Sequence, residues 1–176
     1  TWTASGGSGE VTFPGTQMPS ASFTSVDSTQ TVAKSQTLNG SSPFGLQYGT
    51  SSGKQYLLTA VASGPSPVIG KLGRAGQTTG TVTLTFDTPP IAGTWGFALG
   101  DVDAENVTVN AKDASGRSVN VDEFYVESFN NTSGQTDMPT WNPATETLEG
   151  SGADTTGASA WFTPTAEIKT LTLTQK

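Results

Sequence analysis

The sequence predicts an all-β chain, a single β-sandwich of jelly-roll type spanning residues 1–176. Three observations carry this reading. Strict two-residue alternation of apolar and hydroxylic side chains recurs in Thr81–Phe86, Asn106–Ala111 and Lys169–Thr174, the period of a half-buried strand. Turn formers are abundant, with 21 glycines and 10 prolines in 176 residues. Long-chain helix formers are scarce, and charged residues make up only 13% of the chain.

Taken in order, residues 1–9 are small and polar and are expected to form an extended arm carrying Trp2. Weak strand signals follow at Glu10–Phe13, Ala21–Val26 and Thr29–Leu38. Gly40–Pro43 is read as a turn, and Phe44–Tyr48 and Lys54–Ala62 as strands. Gly64-Pro65-Ser66-Pro67 cannot join a ladder and marks a long connection. Thr81–Phe86 turns Val82, Leu84 and Phe86 inward and ends at Pro89-Pro90. Thr94–Gly100 sets Trp95, Phe97 and Leu99 on one face. Gly96, Ala98 and Gly100 lie on the other, where a ring or a second backbone can lie close. Asn106–Ala111 turns Val107 and Val109 inward, and Asp113–Gly116 is a tight turn leading to a hairpin partner at Ser118–Phe129. Asn130–Pro143 is expected as a loop carrying Trp141, before strands at Thr145–Glu149, Ala158–Phe162 and Glu167–Thr174. The expected core also takes in Trp161, Leu171 and Leu173.

Composition restricts function. With no histidine and no cysteine, Ser-His and Cys-His catalysis, zinc-histidine sites and disulfides are excluded. A net charge of −7 argues against a nucleic-acid partner. No apolar run is long enough for a membrane-inserted helix. A carboxylate pair drawn from Asp101, Asp103, Glu123 and Glu127 is the only catalytic inventory left. Nothing in the pattern sets two of them across a cleft, and the expectation is that the chain is not an enzyme.

The most suggestive cluster is Asp101-Val102-Asp103-Ala104-Glu105. Alternate carboxylates on one side of an extended chain repel one another, and a hard divalent cation would neutralise them. Calcium is therefore the expected cofactor, with Asp101, Asp103 and Asp154 as ligands. Asp154 would arrive from the glycine-flanked loop Gly150–Gly157, while Glu105 is expected to point along the next strand. The alternative is a solvated acidic strand end. Trp2 and Trp141, in polar surroundings, are candidate ligand-binding aromatics that either stack on a sugar or plug the end of the sandwich.

The stretch Gly93–Gly116, with Gly96-Phe97-Ala98-Leu99-Gly100-Asp101-Val102-Asp103-Ala104, Val107-Thr108-Val109 and Asp113-Ala114-Ser115-Gly116, resembles a pattern in secreted, wall-anchored surface proteins of actinobacteria. Trp141–Thr145, Gly152–Thr155 and Gly157–Phe162 are similar to that family's downstream pattern, so the resemblance covers about residues 81–175. It implies an extracellular, cell-wall or cell-surface location and neighbouring stalk domains. The implied role is adhesive, with a glycan or a host or matrix protein as ligand. The alternatives are a structural stalk module without its own ligand, and a carbohydrate-binding module or glycosidase fragment. Adhesins of this kind also carry Lys–Asn isopeptide or Thr–Gln ester bonds. Lys169 and Gln175 are the residues placed for one, against the plainer expectation that the Lys169 ammonium lies in water at the rim.

Overall fold

A computed structural model of the protein describes residues 2–5, 8–13, 15–27, 33–36, 59–62, 80–100, 102–103, 105–130, 134–153 and 158–176. Among these the chain is an antiparallel all-β sandwich whose only helical element is a 3-10 turn, Asp122–Phe124. The strands are β1 (Trp2–Ser5), β2 (Ser8–Val11), β3 (Ala21–Asp27), β4 (Ala33–Gln36), β5 (Thr59–Ala62), β6 (Gly80–Phe86) and β7 (Phe97–Gly100). The rest are β8 (Asn106–Lys112), β9 (Ser118–Val119), β10 (Tyr125–Asn130), β11 (Thr140–Asn142), β12 (Thr147–Glu149), β13 (Ala158–Phe162) and β14 (Thr170–Gln175). One large sheet runs β1-β2-β3-β6-β14-β8-β12-β11, with β9 paired to β8. A smaller sheet runs β10-β13-β7, and β4 pairs with β5.

The alternation read from the sequence is the register of the large sheet. Leu173 lies opposite Val82 and Val109, and Leu171 opposite Leu84 and Ala111. On the outer face Thr83 and Thr172 meet through their hydroxyls at 3.2 Å, and Thr108 and Thr147 at 3.0 Å. Such threonine pairs fill a half-buried pleat and bond across it. The inner face packs on the smaller sheet in one core containing Phe86, Val107, Val109 and Leu171 from one side and Leu99, Ala160 and Phe162 from the other. Leu84, Trp95 and Phe97, expected to be fully inside, are half-buried and packed against that core. Trp95 meets Phe86 edge-on at 5.2 Å, and Phe97 stacks on Phe162 at 5.0 Å.

Strand β13 is buried along its whole length. Its Trp161 points away from the core cluster and lies over Gly96, where a Cβ would come within 2.5 Å of the indole and 2.6 Å of the Phe162 carbonyl oxygen. The small residues of Thr94–Gly100 thus admit a ring, as their pattern suggests.

Three expectations are corrected. The presumed arm belongs to the large sheet: Trp2 pairs with Val11 and Ser5 with Ser8 in a β1–β2 hairpin. Backbone pairing is satisfied there by a neighbour three to nine residues away, a contact that apolar periodicity does not report. Ser118–Phe129 is not one strand. β9 stays with β8, and β10 joins β13 in the other sheet. The 3-10 turn makes the corner because Val121 and Phe124, both 0% exposed, are drawn inward. Asn130–Pro143 contains β11, paired with β12. Trp141 is consequently a strand residue. The expected strand Phe44–Tyr48 and the loops at Gly40–Pro43 and Gly64–Pro67 lie outside the described residues.

The Asp113–Gly116 turn explains its residues. Gly116 takes φ +82, and its N–H closes on the Asp113 carbonyl at 3.0 Å. The Asp113 carboxylate accepts from the Ser115 hydroxyl at 2.6 Å, from the Ser115 and Arg117 backbone N–H groups, and from the Arg117 guanidinium. These donors, the Ser115 hydroxyl foremost, hold its carboxyl well below the usual carboxylate range. A depressed native pKa contributes stability that is present above the unfolded value near 4 and lost as pH falls from there toward the native value. The acid limb of a pH–stability curve should therefore be flatter in Asp113→Asn than in the parent below about pH 4. Superimposable acid limbs would show that the turn carboxylate contributes nothing.

Candidate functional site

The segment between β7 and β8 crosses from the small sheet to the large one at one end of the sandwich, and it carries the acidic cluster. Val102 anchors the crossover. Its side chain is 3% exposed, and its N–H donates to the Ala158 carbonyl at 2.9 Å. Asp103 follows and is likewise 3% exposed. The loop leaving β12 docks against this crossover through its backbone. Gly152 N–H donates to the Asp103 carbonyl at 2.7 Å, and Gly150 N–H donates to the Glu105 carbonyl at 3.1 Å and to Asn106 Oδ1 at 3.1 Å. Only glycine allows this approach at position 150, because a Cβ there would sit inside contact distance of the Asp103 and Glu105 carbonyl oxygens. Gly152, at φ +84, turns the chain onward toward residue 154.

The two segments from which calcium ligands are expected are therefore joined by hydrogen bonds. Asp103 lies at that junction. Asp101 and Asp154 lie outside the described residues. Among the described residues no cluster of three or more carboxylates is assembled.

Glu105 does not run along β8. Its carboxylate turns to β14 and accepts from Gln175 Nε2 at 3.1 Å. Gln175, 8% exposed, continues the inward face of Leu171 and Leu173, and its Oε1 is buried with no hydrogen-bond partner. Sequence reasoning missed this pair, although the alternation that places Leu171 and Leu173 inward extends directly to Gln175. Chain-end pairing fixes the strand end, with Asn106 and Lys176 exchanging backbone hydrogen bonds at 3.0 and 2.9 Å.

The aromatic candidates are placed differently. For Trp2 the structure describes the backbone, in β1. Trp141 is half-buried at the side of the sandwich. Its ring stacks on Tyr125 at 5.8 Å and meets Phe162 edge-on at 5.3 Å. Its indole N–H donates to Asp122 Oδ1 at 2.9 Å. One ring face and the polar handle are thus engaged within the fold, the geometry of a plug between β10 and β11. Glu123 and Glu127, the remaining catalytic candidates, are exposed on the 3-10 turn and on β10. The Lys169 ammonium donates to the Asp87 carbonyl at 2.7 Å.

No family model, curated protein or solved structure matches the chain. Among the described residues no helix is long and apolar enough to cross a membrane.

Proposed function

We propose that this chain is an extracellular, adhesin-type ligand-binding domain of a bacterial cell-surface protein, of jelly-roll connectivity. Its ligand is a glycan or a host or matrix protein. Calcium organises the loops at one end of the sandwich. One observation carries the reading: the crossover bearing Asp103 and the glycine loop leading to Asp154 are docked on each other at the end of a rigid β-framework. Loops held by a stiff sandwich are where such folds place recognition. Carboxylates gathered in an acidic chain favour a hard divalent cation there. The resemblance of residues 81–175 to wall-anchored surface proteins supports the location and the adhesive role.

Calcium that binds the folded state alone adds RT ln(1 + [L]/Kd), about 2.7 kcal/mol at a hundredfold excess over Kd. The melting temperature should rise by roughly 5–10 °C in millimolar calcium. It should fall again with chelator and stop responding in Asp101→Ala. Binding to immobilised glycans and matrix proteins should follow the same dependence. Melting indifferent to calcium and chelator would overturn the metal reading. Failure to retain any glycan or matrix protein would overturn the adhesive one.

The engagement of Trp141 inside the fold favours a second reading, a structural stalk module without its own ligand. Force spectroscopy separates the two, because a stalk module should resist extension strongly while retaining nothing on the same arrays.

A further inference from the structure

We propose that the side of the sandwich formed by β10 and residues 137–142 is a docking surface for an extended, arginine-bearing segment of a partner protein. The surface is assembled at β10, an outer strand of the small sheet. Residues 137–141 run back along that strand. Asn130 Nδ2 donates to the Asp137 carbonyl at 2.9 Å at one end, and Trp141 stacks on Tyr125 at 5.8 Å at the other. Among the described residues three large apolar side chains are exposed, and two of them lie here: Val126 and Met138, each 50% exposed. Val126 has no counterpart in β13. Pairing steps from Tyr125–Phe162 directly to Glu127–Trp161, and the extra residue is a bulge that turns an aliphatic side chain to solvent.

The charge around these two side chains has one sign. Asp122, Glu123 and Glu127, on the 3-10 turn and on β10, are exposed, and among the described residues none of the three pairs with a cation. Between Arg117 and Lys169 the sequence contains no lysine or arginine. Lys112, Arg117, Lys169 and Lys176 all lie on or next to β8 and β14 of the large sheet. An apolar centre with an aromatic pair at its edge and a charged rim is the composition of a recognition surface. The rim selects the occupant. A second copy of the chain docked through the same surface would bring like carboxylates together, and an acidic glycan would be repelled in the same way. A cationic protein segment is attracted, and its own aliphatic residues cover Val126 and Met138. Arginine suits the surface better than lysine. Its planar guanidinium can take a carboxylate in bidentate fashion and lie against the half-buried Tyr125 and Trp141 rings. None of these residues belongs to the crossover or the glycine loop, so the surface goes beyond the calcium reading and does not depend on the ion.

Two synthetic peptides are the probes, one of alternating arginine and leucine and one of alternating arginine and serine. Each is titrated into 15N-labelled protein with chelator present, and backbone amides are followed by NMR. The arginine–leucine peptide should shift amides within residues 122–129 and 137–142 and bind roughly tenfold more tightly than the arginine–serine peptide. The double variant Val126→Ser, Met138→Ser should remove that advantage. The double variant Glu123→Lys, Glu127→Lys should weaken both peptides roughly tenfold. All four side chains are exposed, so both variants should melt as the parent does. Equal affinity of the parent for the two peptides would overturn the surface, as would shifts centred on the crossover or spread over the whole molecule. Either folded double variant binding as the parent does would overturn it too, and so would no binding at all. If a variant does not fold, the parent's shift map and its preference between the peptides still decide. Chelator is present throughout, so a failure here is distinct from a failure of the calcium reading.

Discussion

Replacing Phe162 by alanine is expected to destabilise the protein by about 3–5 kcal/mol, the range for emptying a large aromatic site in a packed core. The melting temperature should fall by roughly 6–20 °C. Phe162 is 0% exposed and lies where both sheets meet. It stacks on Phe97, and Tyr125 and Trp141 approach it edge-on at 5.8 and 5.3 Å. Those three rings come from β7, β10 and β11, so the cavity cannot close by moving a single strand. Phe97→Ala should cost less, because Phe97 is only half-buried. Denaturant unfolding of the two variants checks this directly. Equal losses would mean that the rings share the load evenly and that the edge of the sandwich is packed as tightly as its centre.

The second large effect is expected at Gly150. Alanine there places a methyl group against two backbone carbonyls, those of Asp103 and Glu105. Neither oxygen can swing aside as a flexible side chain would, and both accept hydrogen bonds from the glycine loop itself. The loop must lift off the crossover, at about 3 kcal/mol, the upper part of the range for overpacking. Hydrogen exchange should locate the damage: the Gly152 amide, bonded to the Asp103 carbonyl at 2.7 Å in the parent, should lose its protection. Gly152 offers the contrast. A Cβ there meets open space, but its φ of +84 is left-handed. Gly152→Asn, which tolerates that region, should cost well under Gly150→Ala. If Gly150→Ala keeps both its stability and Gly152 protection, the two segments are not docked and the calcium reading loses its geometric basis.

Glu146 shows how little of such local detail a one-dimensional pattern carries. It is the one described non-glycine residue with positive φ, at +50, in the turn between β11 and β12. Its carboxylate accepts from Val121 N–H at 3.1 Å, and its carbonyl from Val109 N–H at 2.9 Å. Those bonds to two other segments offset the strain of the left-handed backbone, and both partners are remote in sequence. The same holds for the 3-10 corner: Ser118–Phe129 alternates well enough to read as one strand, yet burial of Val121 and Phe124 sends its halves to different sheets.

By itself the sequence determined what depends on near neighbours along the chain. Alternating threonines and aliphatics commit Thr81–Phe86, Asn106–Ala111 and Thr170–Thr174 to strands with a defined inward face, because a pleated backbone turns successive side chains to opposite sides. Asp113 and Gly116 commit their turn because one carboxylate can reach the backbone donors within four residues and glycine alone takes the left-handed position without cost. The absence of histidine and cysteine fixed the chemistry that is out of reach. Tertiary structure decided whatever depends on which strand lies next to which. It folded the presumed arm into a hairpin, drew Trp141 in against Tyr125, laid Trp161 over Gly96, and turned Glu105 toward Gln175 across 70 residues of chain. Sheet pairing is non-local, and a side chain's partner is set by the register of strands that meet only after the core has formed. The sequence proposed that the glycine loop approaches the acidic crossover; the contacts that dock the two segments, Gly152 N–H on the Asp103 carbonyl and Gly150 N–H on the Glu105 carbonyl, were not visible, because backbone hydrogen bonds leave no mark in side-chain pattern.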